Sequence, residues 1–233
     1  MKAMILAAGR GERMRPLTDT TPKPLLTVGG KPLIVHQIVR LAGAGFTELV
    51  INLGWLGQQI EAALGKGAHW GVQIEYSREP EGALETAGGI AFARPLLGEA
   101  PFLVINSDIW MDYPLEHLHG MQPDGDAHLV FINNPPHHPG GDFAIDNGRA
   151  RLDGAPKYTY SGLGVYRPEL VNDIPDGPWP LRPVLNQAIV NNRITAELHA
   201  GQWMDIGSLE RMVEAEKILV QSGALNTGKA QGT

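Results

Sequence analysis

Near the N-terminus the apolar run Met4-Ile5-Leu6-Ala7-Ala8 stops at Gly9 and passes into Arg10-Gly11-Glu12-Arg13-Met14-Arg15-Pro16-Leu17-Thr18. A short, continuously apolar run bounded by glycine reads as a strand buried on both faces, the strand type of α/β sheets. Ligands of such sheets sit outside the carboxyl ends of the strands, which is where this loop begins. Gly9 and Gly11 let backbone N–H groups turn toward an anion with no Cβ in the way. A phosphate is therefore expected beside this loop.

Two common phosphate loops do not fit. A dinucleotide fingerprint needs a third glycine where Met14 stands and runs directly into a helix; here Pro16 interrupts, and an extended Thr21-Pro22-Lys23-Pro24 stretch is expected to follow. A P-loop needs a hydroxyl after its Gly-Lys pair, and Gly30-Lys31-Pro32 lacks it. The glycines are instead joined by Arg13, Arg15 and Lys23. Prolines on both sides of Lys23 restrict the backbone, which lowers the entropic cost of aiming one ammonium at a phosphate. The loop suits a triphosphate.

Along the first half, apolar runs alternate with helical spacing, the pattern of βα units around a mostly parallel sheet. Strands are expected at Met4–Ala8, Glu48–Leu53, Val72–Tyr76 and Phe102–Asn106, with helices from Pro32, around Leu56 to Leu64 and over Glu85–Leu97. Beyond Asp126 the turns become rich in proline and glycine. Strands are expected there at Ala127–Asn133, Phe143–Asp146, Leu163–Tyr166 and Thr195–His199, and helices near Arg182–Val190 and Ser208–Val220. The reading is one α/β domain over 1–220, with a nucleotide-binding half at 1–126 and a smaller lobe at 127–220 sharing the sheet. Residues 221–233 lack an apolar face and read as a frayed tail.

Composition narrows the chemistry. A formal charge of −6 excludes the uniformly basic surface of a nucleic-acid binder, so any basic site must be local. The absence of cysteine excludes disulfides, thiolate zinc, iron–sulfur ligation and thiol catalysis. Neither a signal-peptide hydrophobic region nor a run approaching the roughly 20 apolar residues of a membrane span is present, so a cytoplasmic protein with no membrane partner is expected.

The run Leu6 to Arg13, followed by Pro16-Leu17-Thr18 and Pro22-Lys23-Pro24-Leu25-Leu26, resembles the sugar-1-phosphate nucleotidyltransferase family. The resemblance continues through Glu79-Pro80, Leu84-Glu85-Thr86-Ala87-Gly88, Asn106-Ser107-Asp108, Ser161-Gly162-Leu163-Gly164-Val165-Tyr166 and Trp203-Met204-Asp205-Ile206-Gly207-Ser208, to about Val220. It implies a Rossmann-like, GT-A-like mixed and mostly parallel sheet flanked by helices, in a single domain with a small sugar-binding lobe. It implies an Mg²⁺-dependent condensation of a nucleoside triphosphate, UTP, with a sugar 1-phosphate, by a monomer or small homo-oligomer. Within the family, the short length and the Leu84 to Gly88 variant point to N-acetylmuramic acid α-1-phosphate as the sugar, in peptidoglycan recycling. Uridylyl, thymidylyl or guanylyl transfer to glucose-, N-acetylglucosamine- or mannose-1-phosphate is the alternative.

Carried onto this sequence, the resemblance assigns Asp108 and Asp205 to the metal, and Lys23, Arg13 and Asp108 to catalysis. It assigns Leu6, Ala8, Gly9, Gly11, Glu12, Arg13, Lys23, Glu79, Gly82, Ala83 and Asn106 to the nucleotide, and Gly141, Asp142 and Tyr160 to the sugar. A carboxylate or carbonyl near Glu79 would accept from the imide N–H of uracil. Lys157 and Arg182 are candidates for a carboxylate on the sugar. His137 and His138, set among prolines, lack helical i, i+4 spacing and read as loop histidines.

Overall fold

The structure is a computed structural model that describes residues 1–80 and 84–221. Its first part contains β1 (Ala3–Leu6), the short strands β2 (Thr27–Val28) and β3 (Lys31–Pro32), α1 (Leu33–Gly43), β4 (Glu48–Leu53), α2 (Gly57–Leu64) and β5 (Gln73–Arg78). There follow α3 (Glu85–Phe92), α4 (Arg94–Leu97), β6 (Phe102–Asn106), β7 (Ile109–Met111), β8 (Ala127–Ile132), β9 (Phe143–Asp146) and β10 (Arg149–Arg151). The last are β11 (Lys157–Tyr166), α5 (Leu181–Val190), β12 (Ile194–His199), β13 (Trp203–Asp205) and α6 (Leu209–Gln221).

Nine strands form one mixed sheet in the order β5-β4-β1-β6-β11-β8-β12-β10-β9. The strands β5, β4, β1 and β6 run parallel, and β12 runs parallel to β8. The remaining neighbours, including β11 on both β6 and β8, are antiparallel. The central strands β1 and β6 are almost wholly apolar because both faces are covered, whereas the edge strand β5 carries Gln73, Glu75 and Arg78. Alternate residues serve opposite cores: Ile5, Ile51, Leu103 and Ile105 meet Ile34, Ile38, Leu41 and Ile60 of α1 and α2. Met4, Val50, Phe102 and Val104 meet Ile90, Leu185 and Ile189 of α3 and α5.

Register sets the place of the site. Leu6 pairs with Asn106, so β1 and β6 end side by side, and the Ser107 N–H donates to the Leu6 carbonyl at 3.1 Å. The glycine loop and Asp108 thereby leave the sheet at one edge. A third, smaller core lies under that edge, where fully buried Met14 packs with Leu26, Val28, Leu33, Ile206 and Ala215. Met14, standing where a dinucleotide fold needs glycine, is thus an apolar anchor for the loop.

Several expectations are corrected. The Thr21 to Pro24 stretch is not extended throughout: Lys23–Leu25 forms a 3₁₀ turn closed by Leu25 N–H to the Pro22 carbonyl (2.8 Å), with Pro24 inside the turn. The helix expected over Glu85–Leu97 is two helices meeting at Ala93, because Pro95 permits only a new first turn there. β11 starts at Lys157 rather than Leu163, with a bulge between Tyr160 and Leu163 that Gly162 accommodates at φ +85°. No helix among the described residues is long and apolar enough to cross a membrane.

Candidate phosphate and metal site

A cavity of about 350 Å³ opens at the carboxyl edge of β1 and β6, walled by Leu6, Ala7, Gly9, Gly11, Glu12, Arg13, Lys23, Pro24, Asn106, Ser107, Asp108 and Gly207. Most of the residues assigned to the nucleotide come together here. Gly11 adopts φ +65°, and a Cβ on it would lie 3.0 Å from both Lys23 Cβ and Thr18 Cγ2. The Thr18 hydroxyl donates to the Gly11 carbonyl at 2.9 Å and holds that turn. A Cβ on Gly9 would meet no protein atom within 4 Å, so the space above it belongs to the cavity. Ala8 stands outside the cavity wall, and its carbonyl accepts from the Trp55 N–H at 3.2 Å.

The three loop arginines have different surroundings. The guanidinium of Arg10 stacks on Trp55, 4.2 Å from the ring centroid, and Arg15 pairs with Asp19 at 3.2 Å. Arg13 has no ion-pair partner among the described residues and lines the cavity. Lys23, mostly buried, bonds Asp108 Oδ2.

Asp108 and Asp205 are almost a hundred positions apart, yet they are backbone neighbours. The strand β13 pairs antiparallel with β7, setting Asp205 opposite Ile109, and the Ile206 N–H donates to the Asp108 carbonyl at 2.7 Å. Asp205 is the last residue of β13, and this two-stranded ribbon, absent from the sequence reading, sets it two residues before the wall residue Gly207. Its Oδ1 is bonded by Arg211 Nη1 and lies 3.2 Å from His137 Nε2. Among the described residues no cluster of three His, Asp or Glu forms a complete cage. Two carboxylates on neighbouring backbone segments are nevertheless the donor type Mg²⁺ takes when phosphate oxygens and water supply the rest.

Glu79 lies outside this cavity, at the mouth of another bounded by Leu53, Gly54, Gln59 and Arg78. Its Oε1 accepts from Asn52 Nδ2 (2.7 Å) and its Oε2 from the Leu84 N–H (3.2 Å). Burial raises its carboxyl pKa above the ordinary value, against the opposing effect of those two bonds. Asn52 also accepts from the Ala7 N–H at 2.8 Å, so one amide links the start of the glycine loop to the 79–84 segment. Sequence reading missed Asn52, although a lone polar residue inside the apolar run Leu49-Val50-Ile51-Asn52-Leu53 was a visible signal. Gly82 and Ala83 lie outside the described residues.

The residues assigned to the sugar form a separate cluster on the second half of the chain. Asp142 is enclosed by donors: the Tyr160 N–H at 2.9 Å, Arg182 Nη1 at 2.6 Å and His138 Nε2 at 3.2 Å. Gly141, at φ +61°, has no room for a side chain, since a Cβ would meet Asn134 Oδ1 at 2.7 Å. Tyr160 enters through its backbone, while its hydroxyl bonds the Tyr166 hydroxyl at 2.7 Å in a setting whose burial raises both phenols. Lys157 contributes its carbonyl, which accepts from Asn134 Nδ2 at 2.9 Å.

The model of the family described as nucleotidyl transferase matches residues 2–143. The N-acetylmuramate alpha-1-phosphate uridylyltransferase of Neisseria meningitidis is 52% identical over 226 residues, covering 94% of this chain and 98% of that protein. The enzyme of the same name from Caulobacter vibrioides is 34% identical, covering 94% of this chain and 97% of its own. The mannose-1-phosphate guanyltransferase of Schizosaccharomyces pombe is 33% identical over 89% of this chain and 61% of its own length. Among solved structures, a Bacillus anthracis protein assigned as a glucose-1-phosphate thymidylyltransferase superposes with a TM-score of 0.83, covering 94% of each chain at 21% identity. That likeness establishes the mixed α/β fold.

Proposed function

Because this chain belongs to the nucleotidyl transferase family, we propose that it condenses UTP with N-acetylmuramic acid α-1-phosphate to give UDP-N-acetylmuramic acid and pyrophosphate. The observation that carries the substrate is the 52% identity that runs over 98% of the Neisseria meningitidis uridylyltransferase. The guanyltransferase match, by contrast, leaves more than a third of that relative's length unmatched.

Both substrates are anionic and would repel each other in an uncompensated site. Arg13 and Lys23 line the cavity as fixed cations, and the turn at Gly11 opens backbone N–H groups to a phosphate. Asp108 and Asp205 would hold the magnesium ion, which supplies charge neutralisation at the phosphates when bound. A phosphate oxygen of the sugar 1-phosphate, already ionised, attacks the α-phosphorus in line. The new P–O bond forms as the bond to the β-phosphate oxygen breaks, and pyrophosphate carries the electron pair away. No general base is needed, because the attacking oxygen already carries its negative charge. Asp142 serves the sugar by fixing the 134–142 loop against Tyr160 and Arg182.

The test is a matrix of nucleoside triphosphates against sugar 1-phosphates, read as pyrophosphate release. UTP with N-acetylmuramic acid α-1-phosphate is expected to be the best pair, with chelation of divalent ions stopping the reaction. Preference for GTP with mannose 1-phosphate, or for dTTP with glucose 1-phosphate, would replace the substrate assignment while leaving the transferase class intact.

A further inference from the structure

Arg211 is the third residue of α6, six positions after Asp205, and no motif in the sequence singles it out. In the fold its guanidinium has two distinct environments. Nη1 bonds Asp205 Oδ1 and lies 3.0 Å from His137 Nε2. Nη2 lies beside Gly207, a residue of the cavity wall. A Cβ on Gly207 would lie 2.9 Å from Arg211 Nη2, 2.8 Å from Arg13 Nη2 and 3.1 Å from Asp205 Oδ2. Two guanidinium heads from opposite ends of the sequence therefore crowd one position of the cavity wall, leaving no room there for a side chain. Like charges brought so close repel, and Asp205 alone does not neutralise both. A phosphoryl group does, and the forked guanidinium matches its oxygens.

We infer that Arg211 is a phosphate-binding residue, forming with Arg13 an arginine pair across Gly207 that takes the pyrophosphate end of the triphosphate. His137 and Asp205 are its positioning residues: they hold Nη1, while Nη2 lies beside the wall residue Gly207. The inference rests on the transferase reading and adds a contact to it. Arg211 keeps 17% of its side chain exposed, compatible with access to an anion.

Binding of inorganic pyrophosphate by calorimetry, in buffer with a chelator, separates this role from that of a mere anchor for Asp205. Arg211→Ala is expected to weaken pyrophosphate about tenfold or more, as loss of a charge-assisted hydrogen bond does, with Arg13→Ala giving a comparable loss. Arg211→Lys, which keeps the charge and loses the fork, is expected to fall between and decides the matter if the alanine variant does not fold. Wild-type pyrophosphate affinity in folded Arg211→Ala or Arg211→Lys overturns the inference. If Arg211→Ala instead weakens only Mn²⁺ binding, read by paramagnetic resonance, the residue is an anchor and the inference is likewise overturned. Such results leave the transferase reading standing so long as the wild-type protein releases pyrophosphate from its substrates. A wild-type protein that binds neither pyrophosphate nor UTP brings down both.

Discussion

The proposed phosphate side and the proposed sugar side of this molecule treat their carboxylates in opposite ways. Around the cavity, Asp108 pairs with Lys23 and Asp205 with Arg211, while Arg13 has no ion-pair partner among the described residues. On the sugar side, Asp142 is met by a backbone N–H, an arginine and a histidine, leaving its oxygens satisfied by the protein itself. The first arrangement leaves Arg13 free for the anionic ligand proposed above. The second is complete without one, and acts by fixing the shape of a loop. A charged residue in a site can thus be a contact or a brace, and its hydrogen-bond partners tell which.

If that contrast is right, the largest effect belongs to the phosphate side. Asp108→Ala is expected to cost turnover about a hundredfold or more while circular dichroism stays native, because a charge-stabilising group at the reacting phosphates is lost. Undiminished metal-dependent turnover in that variant would remove Asp108 from the site. Asp142→Asn should act more gently and on one substrate: KM for the sugar 1-phosphate rises about tenfold as the Arg182 pair is weakened, with KM for UTP unchanged. A rise in both KM values would show that the brace extends to the nucleotide and would blur the comparison.

The smallest expected effect concerns Glu79, a brace within the first half. The folded protein holds this proton more tightly than the unfolded chain does, because burial raises the carboxyl pKa. The associated stability is fully present below the ordinary carboxylate range and is lost as pH rises through the raised value. Glu79→Gln is expected to flatten that part of the curve of denaturation midpoint against pH. An unchanged curve would mean that Glu79 ionises freely.

What could be read in advance follows a physical line. The strands Glu48–Leu53, Phe102–Asn106 and Phe143–Asp146 have the bounds their residues predict, since a buried strand is written as a contiguous apolar or alternating run. The ribbons β2–β3 and β7–β13 are two or three residues per strand, too short to show any period. Their pairing is decided by what they pack on. The glycine loop, Arg13 and Lys23 were legible because they are contiguous and chemically unusual. Asp205 came only from family resemblance, and Arg211 and His137 from nothing in the sequence, since their meeting depends on β13 lying against β7.

The small core beneath the site joins Met14 of the glycine loop to Ile206 and Ala215 of the C-terminal segment. Through it, order of assembly becomes a property of the enzyme. The central sheet can pair using β1, β4, β5 and β6 alone, but Met14 keeps an open flank until α6 closes over it. During synthesis, the loop that emerges first therefore waits for a segment made some two hundred residues later. A half-made chain therefore carries the glycine loop without the apolar partners that pack its Met14 from the C-terminal side.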